Sequence, residues 1–412
     1  MKILLLTPMV PQAGGEGAIP ILLHAQLVGL AERHEVTLVT AAGDERGEVA
    51  AAQALADSGV DAHVADRRQP PPGGERWRRR WRLASSWARG RWPWRTVWFA
   101  DPGMQTLIDR LTSKRRFDVV AVEDSSMSVL RLPAGVATVF TEHEVRRPRG
   151  IEWRPGPPPA WPGWAFRELD WRRWERFQRN AWGSFDLIQA FGERDAAAIA
   201  QLAPELSDRI RVNPFGLVLP PPTDPTREVP GTALFVGNFR HAPNRDAAIW
   251  LANEIMPAVR ARFPAATLRL VGTAPPREVL DLAGPGVEVF ADAPSIAPHL
   301  EDASVVLAPL RTGGGMRMKV LEAMAAAKPV VTSPRGTEGF TALEPDPPLI
   351  VAERGEEIAA ATARLLEDSD TRRELSRRGR EFAERHHTPN AWATRLERIY
   401  EEARDLRRAG AG

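Results

Sequence analysis

The stretch that most constrains the fold is residues 312–327, TGGGMRMKVLEAMAAA. Three glycines are followed by Arg317 and Lys319, then by Glu322 inside an alanine-rich run. Pro309 stands before the glycines and Pro329 after the run. Proline and glycine mark boundaries, so the stretch predicts strand, glycine loop, helix and strand in succession. Glycine lets a backbone approach a ligand closely and adopt positive φ. The helix after the loop points unpaired N–H groups, and the positive end of its dipole, at whatever the loop holds. Arg317 and Lys319 add full charge there, and Glu322, three residues past Lys319, shares its face. This chemistry suits a diphosphate beside a hydroxyl-rich group. The plainer alternative is an ordinary helix with a Lys319–Glu322 surface pair.

The same alternation runs along the chain. Strands are expected at residues 2–7, 35–40, 60–64, 117–122, 136–140, 185–190 and 209–212 in the first half. In the second half they are expected at 232–236, 267–271, 287–290, 304–308, 329–332 and 349–351. Helical patterns lie between them, including 18–33 and 246–262, the latter with Asn244 as its expected cap. Three polar helices, 356–367, 371–385 and 391–407, close the chain, with Asp370 expected to cap the second. Strands alternating with helices predict an α/β, doubly wound parallel architecture. The proline-dense residues 213–231 read as a semi-rigid connector between domains. The expected division is 1–213, 214–388 and a terminal helix, 389–412. Ligands in such sheets bind beyond the carboxyl ends of strands. Gly14 and Gly15, Gly237, and the glycines at 313–315 all fall at such ends.

Charge and composition exclude several classes. Lys and Arg number 55 against 53 Asp and Glu, a net charge of +2, so no global field favours nucleic acid. With no cysteine, neither a disulfide framework nor a Cys-based metal site can form, which fits a reducing, cytoplasmic setting. No apolar run is long enough to span a membrane, and MKILLLTPMVP reads as a first strand rather than a signal peptide. Lysine occurs only at positions 2, 114, 319 and 328, whereas arginine is abundant. A compact ammonium at Lys319 therefore stands out. Two insertions, 75–99 and 153–182, interrupt the α/β pattern. From Trp77 to Trp182 the chain holds twelve of its fourteen tryptophans, interleaved with arginine. Three readings follow: a lid of stacked Trp and Arg, a surface for peripheral membrane contact, or a stacking platform for single strands. The balanced charge disfavours the third.

Thr141-Glu142-His143-Glu144 follows the apolar run VATVF. A histidine at a strand end between carboxylates can orient or deprotonate a hydroxyl near neutral pH. The alternative is a loop histidine bonded to backbone. His24, His386 and His387 are assigned no chemistry. Asp368-Ser369-Asp370 has the form of a metal-binding DxD, but its place between two helices suits capping, so no metal site is expected. The first glycine loop does not complete GxGxxG, and no acidic residue ends the second strand, which disfavours a dinucleotide dehydrogenase.

Longer motifs carry a family. They are VGNFRHAPNRDAA, LRLVG, VVLAPLRTGGGMRMKVLEAMAAAKPVV and TSPRGTEGF, with GGEG, VFTEHEV and FDLIQAFGERDAA in the first half. On these the chain resembles the GT-B-fold retaining glycosyltransferases of family 4, the glycosyl transferases group 1 type. The resemblance implies two Rossmann-like domains facing across a cleft, with the C-terminal helix packing back on the first. It implies a nucleotide-diphosphate sugar as co-substrate, no metal or other cofactor, and a glycan, lipid-linked or aglycone hydroxyl as acceptor. It places Glu322 on the ribose, and Arg317 and Lys319 on the diphosphate with the N–H groups of Gly315 and Met316. Gly14 and Gly15 approach the donor from the first domain, and His143 lies near the reacting sugar. Asn238, Arg240 and Asn244 line the second domain's wall. The chain departs from the pattern at Gly314, where many relatives carry a glutamate, and at Asn238 and Asn244, where many carry a basic pair. The expected setting is bacterial cell-envelope polysaccharide or glycolipid synthesis. Natural-product glycosylation and nucleotide-sugar binding without turnover are the alternatives.

Overall fold

Leucine- and valine-rich runs become the buried strands of two parallel sheets in a computed structural model. It describes residues 1–14, 17–43, 47–57, 60–66, 81, 85, 87–89, 92–93, 96, 102–145, 163–314 and 317–410. The chain divides into two units, Met1–Leu217 with Pro389–Gly412, and Val218–Thr388.

The first unit holds β1 (Lys2–Leu6), β2 (Glu35–Ala42), β3 (Asp61–Asp66), β4 (Val119–Glu123), β5 (Ala137–Glu142), β6 (Leu187–Ala190) and β7 (Ile210–Val212). Their order is β3-β2-β1-β4-β5-β6-β7, and every pairing is parallel. The second holds β8 (Thr232–Asn238), β9 (Thr267–Thr273), β10 (Val287–Ala291), β11 (Val305–Ala308), β12 (Val330–Thr332) and β13 (Ile350–Val351). Their order is β10-β9-β8-β11-β12-β13, again all parallel. The order reverses between β1 and β4 and between β8 and β11, the points where such sheets bind ligands. Helices cover both faces, so central strands read as continuous apolar runs. Ile3, Leu4, Leu5 and Leu6 are all fully buried.

Two expected helix starts are corrected. The helix expected at 246–262 begins at Ala242, with His241 at the cap position and Pro243 in its first turn. Proline suits that turn because its missing N–H has no intrahelical partner to lose. Asn244 is thus inside the helix, and its side chain is used elsewhere. The element is also interrupted: Ala242–Trp250 passes through a π turn, Leu251–Ile255, into Met256–Arg262. Pro257 lies just past the turn and cannot donate a backbone hydrogen bond, which accounts for the break. Asp368, not Asp370, caps Ser369–His386, accepting from the N–H groups of Asp370 and Thr371. Of the DxD-like triplet, the Asp368 carboxylate serves that cap and the Asp370 carboxylate pairs with Arg373.

The C-terminal helix, Pro389–Ala409, belongs to the first unit and packs on the helix Ala18–Ala31 and on β5. It buries Trp392, Ala393, Leu396, Ile399, Tyr400 and Ala403. Gly29 makes room for it: a Cβ there would lie 2.3 Å from the Pro389 carbonyl oxygen and 3.2 Å from Ala393 Cβ. Gly29→Ala should therefore destabilise the unit by about 2 kcal/mol despite alanine's better helix propensity. Gly183→Ala, where an added Cβ meets nothing within 4 Å, is the control. Equal denaturation midpoints for the two variants would contradict the close packing.

Candidate active site

At the β8–β11 reversal glycine backbone packs against the side chains that open the helix Ala242–Trp250. β8 ends at Gly237-Asn238, and a Cβ on Gly237 would fall 2.9 Å from Asn244 Cγ. Glycine there lets Asn244 lie against the strand end. Gly313 has φ 97°, and a Cβ on it would fall 2.8 Å from Pro243 Cγ. Both the conformation and the contact require glycine. The glycine loop after β11 is thus fitted to the start of the helix Ala242–Trp250.

Asn244 joins the two elements. Its Nδ2 donates to the Asn238 carbonyl at 2.7 Å, and its Oδ1 accepts from Lys319 Nζ at 2.6 Å. Lys319 lies in the first turn of the helix Met318–Ala325, its ammonium 4.3 Å from the centre of the Phe235 ring. Burial, with the Arg317 charge adding to it, lowers the Lys319 pKa to about 7, against the opposing pull of Glu322. Glu322 is half-buried one turn on, and burial raises its pKa while Lys319 opposes the rise. Lys319 is therefore held by a neutral amide, not by an ion pair with Glu322.

Arg317 is placed differently. It is buried, and its Nη2 donates to Glu338 Oε2 at 2.5 Å. Its other nitrogens donate to the carbonyls of Arg335 at 2.6 Å and Gly314 at 3.1 Å. The phosphate role expected of Arg317 competes with an ion pair it already makes. Asn238 and Arg240 are exposed in the turn after β8, where Asn238 Oδ1 accepts from the Arg240 N–H at 3.0 Å. Gly315 and Met316 lie outside the described residues. Glu338 and Phe235 are not singled out by sequence reasoning, although Glu338 stands in the motif TSPRGTEGF.

In the first unit, β4 and β5 end side by side. Their register pairs Glu123 with Thr141, and His143 follows two residues on. His143 is buried, and its Nε2 lies 2.9 Å from Glu123 Oε2. Burial pulls the imidazole pKa down, but the hydrogen bond and charge of Glu123, with Asp124 and Glu142, outweigh it and raise the pKa. Nδ1 is buried with no hydrogen-bond partner among the described residues. Asp124, next to Glu123, has φ 73°, and its Oδ1 accepts from the Ser126 N–H and hydroxyl. Strain of this kind at a strand end gathers at functional sites. Gly14 follows β1, where an added Cβ would meet nothing within 4 Å. Gly15 lies outside the described residues, as do most of the first and the start of the second of the Trp/Arg insertions. Of these, the Arg173 guanidinium stacks 4.1 Å over the Trp87 ring, and Trp87 Nε1 donates to Asp170 Oδ1 at 2.8 Å.

Two all-parallel α/β units, one with a glycine loop, a lysine and a carboxylate at its strand-order reversal, define the GT-B class of fold. Residues 230–368 match the family described as Glycosyl transferases group 1. Solved structures are similar over nearly the whole chain. HepE from Anabaena, in complex with UDP and glucose, has 13% identity and a TM-score of 0.63, covering 98% of this chain and 100% of that one. TarM has 8% identity and a TM-score of 0.64, with coverages of 97% and 98%. Sucrose-phosphate synthase from Thermosynechococcus elongatus has 15% identity and a TM-score of 0.58, with coverages of 97% and 98%. Among curated proteins, none matches the sequence.

Proposed function

We propose that the chain is a retaining, metal-independent glycosyltransferase that moves a sugar from a nucleotide-diphosphate sugar to a hydroxyl acceptor. The observation that carries this reading is Lys319, amide-held beside Glu322 behind a glycine loop at the β8–β11 reversal. Breaking the anomeric bond builds positive charge on the sugar and negative charge on the departing diphosphate. Lys319 and the N-terminus of the helix Met318–Ala325 stabilise that leaving group. Arg317, tied to Glu338 and to the Gly314 carbonyl, holds the loop in shape for it. Glu322 accepts the ribose hydroxyls, whose hydrogen bonds favour its ionised form. His143, charged through Glu123, donates from Nδ1 to an oxygen of the reacting sugar or acceptor. Retention follows if the acceptor attacks from the face the diphosphate leaves, its hydroxyl proton passing to the departing phosphate oxygen, and the anomeric coupling constant of the product tests it. The Trp/Arg-rich insertions favour a glycan or lipid-linked acceptor of the cell envelope, and a strict preference for soluble aglycones would rule that out. Among the described residues no helix is long and apolar enough to cross a membrane.

The donor is tested by thermal shift with UDP-, GDP-, ADP- and TDP-sugars. One base should raise the melting temperature, and no shift with any would sink the reading. HepE was solved with UDP, so uridine is the first base to try. With the right base, removing both ribose hydroxyls should weaken binding about 10- to 100-fold in the wild-type chain. In Glu322→Gln the intact and dideoxy nucleotides should differ by only a few-fold. Equal discrimination in both proteins would remove Glu322 from the ribose.

A further inference from the structure

A line of buried polar side chains joins the C-terminal helix to His143, and all of its donors point one way. Arg395 Nε donates to Asn213 Oδ1 at 2.9 Å. Asn213 Nδ2 donates to Gln189 Oε1 at 2.8 Å, and Gln189 Nε2 to Thr141 Oγ1 at 2.7 Å. Thr141 Oγ1 donates to Glu123 Oε1 at 2.9 Å, and the other oxygen of Glu123 meets His143 Nε2 at 2.9 Å. Asn213, Gln189, Thr141 and Glu123 are each at most 1% exposed, so water does not compete for these bonds. The line begins at a guanidinium and ends at a carboxylate. Each donor is polarised by the one before it, and a low-dielectric interior strengthens the effect. A second route is apolar: Trp392 of the same helix meets the Phe191 ring at 6.0 Å, and Phe191 meets the His143 ring edge-on at 5.2 Å.

We propose that the C-terminal helix is a positioning element for His143. Arg395 and Asn213, through Gln189 and Thr141, fix the Glu123 carboxylate as the acceptor for His143 Nε2, and so set the direction in which the unpartnered Nδ1 points. The proposal rests on the role assigned to His143 above. Without the line, the Glu123 carboxylate would keep fewer donors of its own, Gln26 Nε2 at 2.7 Å among them, and would lean more heavily on the imidazole N–H. Burial lowers the Arg395 pKa to about 10, so the guanidinium stays charged at neutral pH. Other charged groups also face this pair. They are Asp124, just past β4, and Glu142, at the end of β5. Tyr400, on the C-terminal helix, is pushed up by burial and by the charge of Glu123, so it stays neutral. Each of these is left in place by the variants below.

The test uses the full chain with ¹⁵N-labelled histidine, His143 being assigned from the His143→Gln spectrum. Long-range ¹H–¹⁵N spectra report which ring nitrogen carries the proton and at what pH it titrates. In Asn213→Leu and Arg395→Met the His143 titration should move upward by about half a pH unit or more, because a carboxylate with fewer other donors holds the imidazolium N–H more strongly. In the transfer assay kcat should fall about tenfold in both, with the donor KM unchanged. Arg211→Met is the control. It removes the Arg211–Glu402 pair that also ties β7 to this helix, outside the line, and should leave His143 as in wild type. If either variant fails to fold, Thr141→Val removes a single hydroxyl of the line and should move His143 likewise. A His143 titration unchanged in every folded variant overturns the proposal, even if His143→Gln is inactive. Wild-type kcat in His143→Gln would instead overturn the role of His143 on which it rests.

Discussion

Lys319→Met should lower kcat about a hundred- to a thousandfold while the chain stays folded. The argument compares the two cations of the loop. Arg317 is buried against Glu338 and three backbone carbonyls, so its charge is largely matched before any ligand arrives. Among the described residues, Lys319 has only the neutral Asn244 oxygen at 2.6 Å and the Phe235 face. A charge that forms on a departing diphosphate is best met by a cation that has no carboxylate of its own. Removing Lys319 also relieves the unliganded protein of a poorly solvated ammonium, a cost to folding. Against that, Asn244 Oδ1 loses its donor, worth about 1–3 kcal/mol if the oxygen stays dry. The two effects oppose, so the melting temperature should change by only a few degrees. Lys319→Arg should not restore the rate, because a planar fork does not fit where a point charge sits between Asn244 and an aromatic face. Wild-type kcat in Lys319→Met would remove the residue from the chemistry. A large loss in Arg317→Met with the chain unfolded, by contrast, would be the expected result for a residue that organises the loop.

Much of this arrangement is legible in the sequence, for identifiable reasons. Parallel strands buried on both faces must be continuous apolar runs, so KILLL, TALFV and LRLV announce themselves. Glycines after their carboxyl ends mark where the strands give way to loops. Helix starts are less legible. Ala242 rather than Asp246 opens its helix because Pro243 fits the first turn, and Asn244 is thereby released to bridge Asn238 and Lys319. That bridge spans 75 residues of sequence between Asn244 and Lys319, and no local pattern encodes it. The same holds for Arg317. Two cations two residues apart look equivalent in the chain, and only the fold shows that Glu338 answers one of them. In the first unit His143 is visible as a histidine at a strand end. Its partner Glu123 is not, because the pairing exists only once β4 and β5 are set side by side. The polar line from Arg395 is further out of reach, since it joins five elements that no spacing rule connects.

Donor affinity should fall with rising pH, in a window that Lys319 alone sets. In the unliganded protein its pKa is about 7, well below that of a lysine in water. A bound diphosphate supplies the negative charge that the site lacks and raises it again. The complex therefore holds a proton that the free protein has partly lost, and binding takes one up between pH about 7 and the pKa of the bound lysine. By linkage, affinity for the nucleotide-sugar is level just below that pH. It then weakens by up to about tenfold per unit above it, until the pKa of the bound lysine is passed. A nucleotide-sugar is the correct probe, because a free nucleoside diphosphate titrates in the same range. Calorimetry in buffers of different ionisation enthalpy should show the proton uptake grow toward one as the pH passes 8. The stability of the unliganded fold should move the other way. Its lysine pKa is depressed, so the unfolded chain binds the extra proton across this window, and the Lys319 contribution to stability rises with pH. Glu322 acts on the acid side: its pKa is raised by burial, and the ribose contact proposed for it favours its ionised form, so affinity should fall again as the pH drops through that pKa. Lys319→Met should erase the alkaline slope and leave the acid limb. If the alkaline slope survives the substitution, another group titrates at the diphosphate, and Lys319 is not the cation that meets it.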